Sequence, residues 1–109
     1  MLKKLNNGAV MEIDIQDSSD ERTFIPKDEL VAVNVFKFEE KLNNFIRDDH
    51  RNVTIDLYHI SKIDSMSIAA IIRIKNKLTE DERKLKLINP NEGVMRVLEL
   101  AGLESFLLD

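Results

Sequence analysis

The stretch Asn52-Val53-Thr54-Ile55-Asp56-Leu57-Tyr58-His59-Ile60-Ser61-Lys62-Ile63-Asp64-Ser65-Met66-Ser67-Ile68-Ala69-Ala70-Ile71-Ile72 decides how the chain is read. Residues 53–58 alternate and are rich in β-branched side chains, which is the pattern of a strand that turns one face to a core. A helical pattern then runs over residues 66–78, and residues 59–65 form a short polar corner between the two. Ser65 stands where a helix needs an N-cap, because its side-chain oxygen can accept from the orphan N–H groups of the first turn. A hydroxyl is thereby expected at a helix N-terminus.

Upstream, Met11-Glu12-Ile13-Asp14-Ile15 alternates apolar with acidic residues and predicts a strand, and residues 16–20 are turn chemistry. Arg22-Thr23-Phe24-Ile25 predicts the second strand of a hairpin, ended by Pro26, which cannot donate to a ladder. Residues 27–33 read equally as a strand extension or a loop. Asn34 is the expected N-cap of a helix whose apolar face is Val35, Phe38, Leu42, Phe45 and Ile46. A charged connection follows and returns the chain to Val53.

Downstream, residues 79–84 read as a solvated loop and Leu85-Lys86-Leu87-Ile88 as a fourth strand. Asn89-Pro90-Asn91-Glu92 is a helix start signal, with Asn89 as N-cap, Pro90 at the first helical position and Glu92 completing a capping box. Val94, Val97, Leu98 and Ala101 form the buried stripe of that helix, and Gly102-Leu103 is its stop. Residues 103–108 are apolar and unassigned. The order predicts an α/β fold: a small mixed sheet of about four strands with helices packed on it, an N-terminal hairpin, and parallel third and fourth strands joined by a right-handed crossover. Residues 1–109 are expected to form a single domain, since a chain of this size hides roughly 65% of its unfolded surface.

Composition narrows the function. The absence of cysteine excludes disulfides and thiol nucleophiles. The longest apolar run, Ile68-Ala69-Ala70-Ile71-Ile72, is far short of the roughly 20 residues of a bilayer span. Met1-Leu2-Lys3-Lys4-Leu5-Asn6-Asn7-Gly8 has no apolar segment of the kind a secretory signal requires, so a soluble, cytoplasmic protein is expected, without membrane association. Twenty acidic against sixteen basic residues, a net charge of −4, argue against direct nucleic-acid binding. His50 and His59 lack partners at metal spacing, so neither a metal nor a cofactor is expected.

Two motifs resemble a known family, the STAS domain of bacterial anti-sigma factor antagonists. Asp56-Leu57 followed by Asp64-Ser65-Met66-Ser67-Ile68 resembles the family's D-L strand end and its D-S-S/T-G-L helix start. Asn89-Pro90, then Val94-Met95-Arg96-Val97-Leu98-Glu99-Leu100-Ala101-Gly102-Leu103, resembles its N-P, V-x-R-V-L-E-L and G-L run. Met66 and Ser67 stand where Ser or Thr and Gly are usual, Val31 stands where the family's G-E-L-D has its aspartate, and the chain leaves no room for a further C-terminal helix.

The resemblance implies a switch, not an enzyme. Ser65 matches the serine phosphorylated by the partner kinase, an anti-sigma factor of the histidine-kinase ATPase type. The unphosphorylated domain sequesters that factor, and a serine phosphatase resets the phosphorylated one. A helical wheel at about 100° per residue puts Ile68, Ile71, Ile72 and Leu78 on one side and Met66, Ala69, Ala70, Arg73 and Lys77 largely opposite. The expected partner-binding residues are therefore Asp64, Met66, Ser67, Ala69, Ala70 and Arg73, with Arg73 free to pair with a partner carboxylate. Lys75 points inward on the wheel and is expected to snorkel near the helix end. Two other readings stay open. One is an unphosphorylated STAS subunit of a stressosome-like scaffold or lipid-transport complex. The other is a hydrolase using Ser65, His59 and Asp64 or Asp56, although no G-x-S-x-G elbow is present.

Overall fold

Alternating side chains divide the sheet into an apolar and a polar face. The computed structural model describes residues 11–106, and in it the strands are β1 (Ile13–Asp17), β2 (Glu21–Pro26), β3 (Asn52–Asp56) and β4 (Leu85–Ile88). They lie in the order β1-β2-β3-β4, with β1 antiparallel to β2 and the pairs β2·β3 and β3·β4 parallel. The register aligns Phe24, Ile55 and Leu87 in one row across the sheet, all buried. The next row, Thr23, Thr54 and Lys86, faces the other way, where Thr54 Oγ1 donates to Glu21 Oε1 and Lys86 pairs with the same carboxylate. The predicted mixed sheet and N-terminal hairpin are both present.

Three helices cover the apolar face: α1 (Val33–Asp48) between β2 and β3, α2 (Ser65–Glu80) between β3 and β4, and α3 (Glu92–Leu100) after β4. Val35, Phe38, Leu42 and Phe45 of α1 meet Ile71, Ile74 and Leu78 of α2 and Val94 and Leu98 of α3 in one core. Each fully buried aliphatic or aromatic side chain contributes about 1.5–3 kcal/mol, so this contiguous cluster supplies the main drive for folding. α3 ends as predicted. Gly102 adopts φ +77°, its N–H donates to Glu99 O, and the N–H of buried Leu103 donates to Leu98 O. Glu104–Phe106 then forms a turn of 3-10 helix, where Lys75 runs out to place its ammonium 5.5 Å from the Phe106 ring. Residues 107 and 108, and the residues 1–8 weighed as a signal, lie outside the described residues.

Several boundaries differ from the sequence expectation, each for a local reason. β1 lies two residues later, because Gln16 and Asp17 continue the ladder and Asp17 pairs with Arg22 at 2.7 Å. β3 ends at Asp56, whose carboxylate accepts the Tyr58 N–H and turns the chain. Residues 27–32 form a loop rather than a strand extension, and α1 starts at Val33 with no side-chain cap, while Asn34 uses its amide to donate to Glu29 O at 3.1 Å. α3 is capped by Asn91 instead of Asn89, its Oδ1 accepting the Val94 N–H at 2.7 Å. Asn89 adopts φ +58° and donates to Asp56.

Residues 79–84 are not simply solvated. Arg83 is buried and donates to Ile46 O at the end of α1 and twice to Arg51 O. Its guanidinium joins those of Arg22 and Arg51 around the Phe45 ring, at 5.9, 4.9 and 5.5 Å.

Candidate functional site

The corner between β3 and α2 is anchored by Ile60 and Ile63, both buried, so the residues between and after them are held without regular structure. α2 begins with a reciprocal capping box. The Asp64 carboxylate accepts the Ser67 N–H at 3.0 Å, and the Ser67 hydroxyl accepts the Asp64 N–H at 2.9 Å. The Ser67 N–H foremost, with its hydroxyl and the Met66 N–H, holds the Asp64 carboxyl below its ordinary value. Asp64 is therefore the cap, and Ser65 is the first residue of the helix.

That shift of one position changes what Ser65 can do. It is exposed, and among the described residues no side chain or backbone group engages its hydroxyl. Capping does not consume it.

Ser65 and Asp64 stand at one end of an open groove between α2 and α3. Ile68, Ala69 and Ile72 form one wall, and Val97, Leu100 and Ala101 the other. Leu100 is 83% exposed and Met66 40%, so apolar surface continues beyond the groove on both helices. The wheel placed the α2 faces imperfectly, since the buried line is Ser67, Ala70, Ile71, Ile74 and Leu78. Ser67 and Ala70 therefore face the core and not a partner, because the cap pulls Ser67 inward and Ala70 fills the space beside the core.

Arg73 is also not free. Its guanidinium grips Glu39 of α1 with two bonds of 2.7 and 2.8 Å, and this pairing raises its own pKa and lowers that of Glu39. Lys77 extends the same seam by donating to Asn43. Of the predicted docking residues, Asp64, Met66 and Ala69 remain at the surface beside Ser65.

Leu100 and Ala101 were missed as groove residues, Ala101 because its helical spacing matched the buried stripe of α3. A clue lay in the apolar Leu100 on the polar side of that helix. Among the described residues no hydrogen bond links Ser65, His59 and an aspartate. Asp64 is held in its cap, Asp56 accepts from Asn89 and Tyr58, and the His59 ring lies edge-on to Tyr58 at 5.0 Å. A second concavity is lined by Phe45, Arg22 and Asp49, whose polar groups are already engaged, Arg22 with Asp17 and Asp49 with Arg51. Among the described residues no cluster of His, Cys, Asp or Glu could hold a metal ion, and no helix is long and apolar enough to cross a membrane.

Residues 12–108 match the STAS domain. The chain belongs to the STAS domain family. It is 28% identical over 81 residues to a Thermotoga maritima protein described as a candidate anti-sigma factor antagonist, a match covering 73% of this chain and 72% of that one. A crystal structure under that description superposes with a TM-score of 0.81 at 25% identity, over 89% of this chain and 86% of the other. The anti-sigma factor antagonist SpoIIAA in its unphosphorylated form gives a TM-score of 0.79 at 17% identity, covering 92% and 87% of the two chains. The phosphorylated form of Bacillus SpoIIAA gives 0.73 at 16%, covering 92% and 90%, and at such identities the likeness is one of fold.

Proposed function

We propose that this STAS domain is an anti-sigma factor antagonist whose groove between α2 and α3 docks an anti-sigma factor, and that phosphorylation of Ser65 closes that site. The observation that carries the reading is an exposed, unengaged hydroxyl at the head of an apolar groove. The SpoIIAA relative, of the same fold, exists in unphosphorylated and phosphorylated forms, which supports assigning a phosphoacceptor to this corner. Apolar walls give a docking partner the desolvated contact that carries most binding energy, and Met66 at the rim adapts to its shape.

Phosphorylation adds about −1.5 to −2 charge. At the first residue of α2 that charge meets the positive end of the helix dipole, so the fold accommodates it. The consequence is felt at the surface. A bulky dianion beside the already anionic Asp64 blocks the groove mouth and repels acidic partner groups. The kinase is the anti-sigma factor itself, of the histidine-kinase ATPase type, and a separate serine phosphatase restores the hydroxyl in the cytoplasm. The domain binds and releases; it has no catalytic step of its own.

Incubation with the cognate anti-sigma kinase and ATP, followed by mass mapping, is expected to place one phosphate on Ser65. Ser65→Asp and Leu100→Asp are each expected to weaken binding of the unphosphorylated state at least tenfold while leaving the helical circular dichroism unchanged. Phosphate elsewhere, or none, overturns the switch in favour of a scaffold subunit whose Ser65 is never phosphorylated, and a melted α2 in Ser65→Asp overturns the exclusion mechanism.

A further inference from the structure

Ser61, in the corner that carries Ser65, bonds to the loops on both sides of it. Glu29, in the loop between β2 and α1, accepts the Ser61 N–H at 3.0 Å on Oε1 and the Ser61 hydroxyl proton on Oε2. From the other side, Asn91 donates its Nδ2 to Ser61 O at 3.0 Å while its Oδ1 accepts the Val94 N–H of α3. Glu29 is itself fixed, since its own carbonyl accepts from Asn34 in the first turn of α1. A continuous line of hydrogen bonds therefore runs from the start of α1, under the Ser65 corner, to the cap of α3.

These contacts span 32 residues of sequence on one side and 30 on the other, so none follows from local turn geometry. The three loops lie at the C-terminal ends of the parallel strands β2, β3 and β4, beyond the last ladder bond, Leu57 N–H to Ile88 O. A carboxylate accepting both donors of one residue forms charge-assisted bonds, the strongest neutral-to-ion type the loop has.

We propose that Glu29 is the positioning residue of the Ser65 corner: by clamping Ser61 it fixes the approach to α2 and, through Asn91, the cap of α3, so that both walls of the groove are set before a partner arrives. Its relevance to docking rests on the function proposed above. The clamp itself is a property of the free protein. In the described hydrogen bonds the Glu29 side chain serves no partner but Ser61, so its removal reports the clamp alone.

Native-state amide hydrogen exchange tests it. Glu29→Ala is expected to speed exchange of the Ser61 N–H by roughly tenfold or more and that of the Val94 N–H by about threefold. Glu29→Gln keeps one acceptor oxygen for the Ser61 hydroxyl but sets an amide NH2 against the Ser61 N–H and loses the charge, so it is expected to loosen Ser61 and Val94 by no more than alanine does. Ser61→Ala lies on an exposed corner that tolerates truncation; it removes the hydroxyl arm and is expected to act in the same direction with smaller size. Unchanged exchange at Ser61 in Glu29→Ala overturns the proposal, as does loosening that stops at Ser61 and never reaches Val94. Binding of the anti-sigma factor separates the two readings. No binding by the wild type refutes the function and leaves the clamp to be judged by exchange alone, whereas equally tight binding by wild type and Glu29→Ala refutes the role of the clamp in docking.

Discussion

Replacing Ser67 tests the cap on which the presentation of Ser65 depends. Its hydroxyl accepts the Asp64 N–H at 2.9 Å and donates to Asp64 O and Oδ1 at 2.9 and 3.1 Å, in a position 1% exposed. Ser67→Ala fits sterically but leaves the Asp64 N–H without its acceptor. The loss of half a capping box and one unsatisfied donor is worth about 1–2 kcal/mol. For a two-state domain of this size that lowers the thermal midpoint by about 5–10 °C, read by circular dichroism or calorimetry. Ser67→Gly, which installs the residue usual in the family, is expected to lose a further 0.5–1 kcal/mol or so through backbone entropy.

Acid titration adds an independent arm to the same experiment. The Ser67 N–H and hydroxyl help hold the folded Asp64 pKa below its ordinary 3.8, so its contribution is complete above that value and is lost as pH falls through the folded pKa. In Ser67→Ala the Ser67 N–H, the main cause of the lowering, stays, so the Asp64 pKa moves only part of the way back up and the stability gap between wild type and variant narrows modestly as pH drops from about 5 toward 2. A variant melting within about 1 °C of wild type at neutral pH, or a gap independent of pH, refutes the capping argument.

Two further substitutions probe the far end of α2. Glu82 occupies the left-handed position, φ +61°, of a C-terminal motif in which its N–H donates to Thr79 O and the Arg83 N–H donates to Leu78 O, so Glu82→Gly is expected to stabilise the fold by about 1 kcal/mol and raise the midpoint. A midpoint that stays level or falls shows that the backbone there carries no strain. Arg83→Met keeps the apolar stem but strips the donors from Ile46 O and Arg51 O, so a loss of about 2–4 kcal/mol is expected in chemical denaturation, with early fraying at the end of α1; a loss under about 1 kcal/mol shows those carbonyls to be satisfied otherwise.

Periodicity carried most of the fold. The rows Phe24-Ile55-Leu87 and Val53-Leu85, the apolar line of α1 and the stop at Gly102 were all legible because burial repeats at the period of each element. Caps were less legible, since several polar residues in a row can each serve: Asp64 and Ser65 compete for α2, where the reciprocal bond with Ser67 selects Asp64, and Asn89 and Asn91 compete for α3, where both also bond to the corner after β3 or its strand end. The candidate serine was legible as a residue near a helix start. Its groove was not, because the walls come from two helices whose mutual placement no local pattern encodes. Arg83 and Ser61 were missed for the same reason, their partners lying more than 30 residues away.

The displacement of Ser65 by one position, from cap to first helical residue, bears directly on the switch proposed for this corner. A capping hydroxyl that became phosphorylated would have to release its backbone donors, and modification would then be coupled to fraying of α2. Here Asp64 and Ser67 hold the cap between them, so the Ser65 hydroxyl can change chemically while every capping bond persists. The added charge meets opposed terms of similar size, attraction to the helix dipole worth about 0.3–1 kcal/mol and repulsion by exposed Asp64. Under the proposed switch, fold stability would thus be nearly indifferent to phosphorylation of Ser65. Almost all of its effect would fall on the affinity of the groove for the proposed partner, where every 1.4 kcal/mol or so of repulsion and lost packing is a tenfold loss of binding.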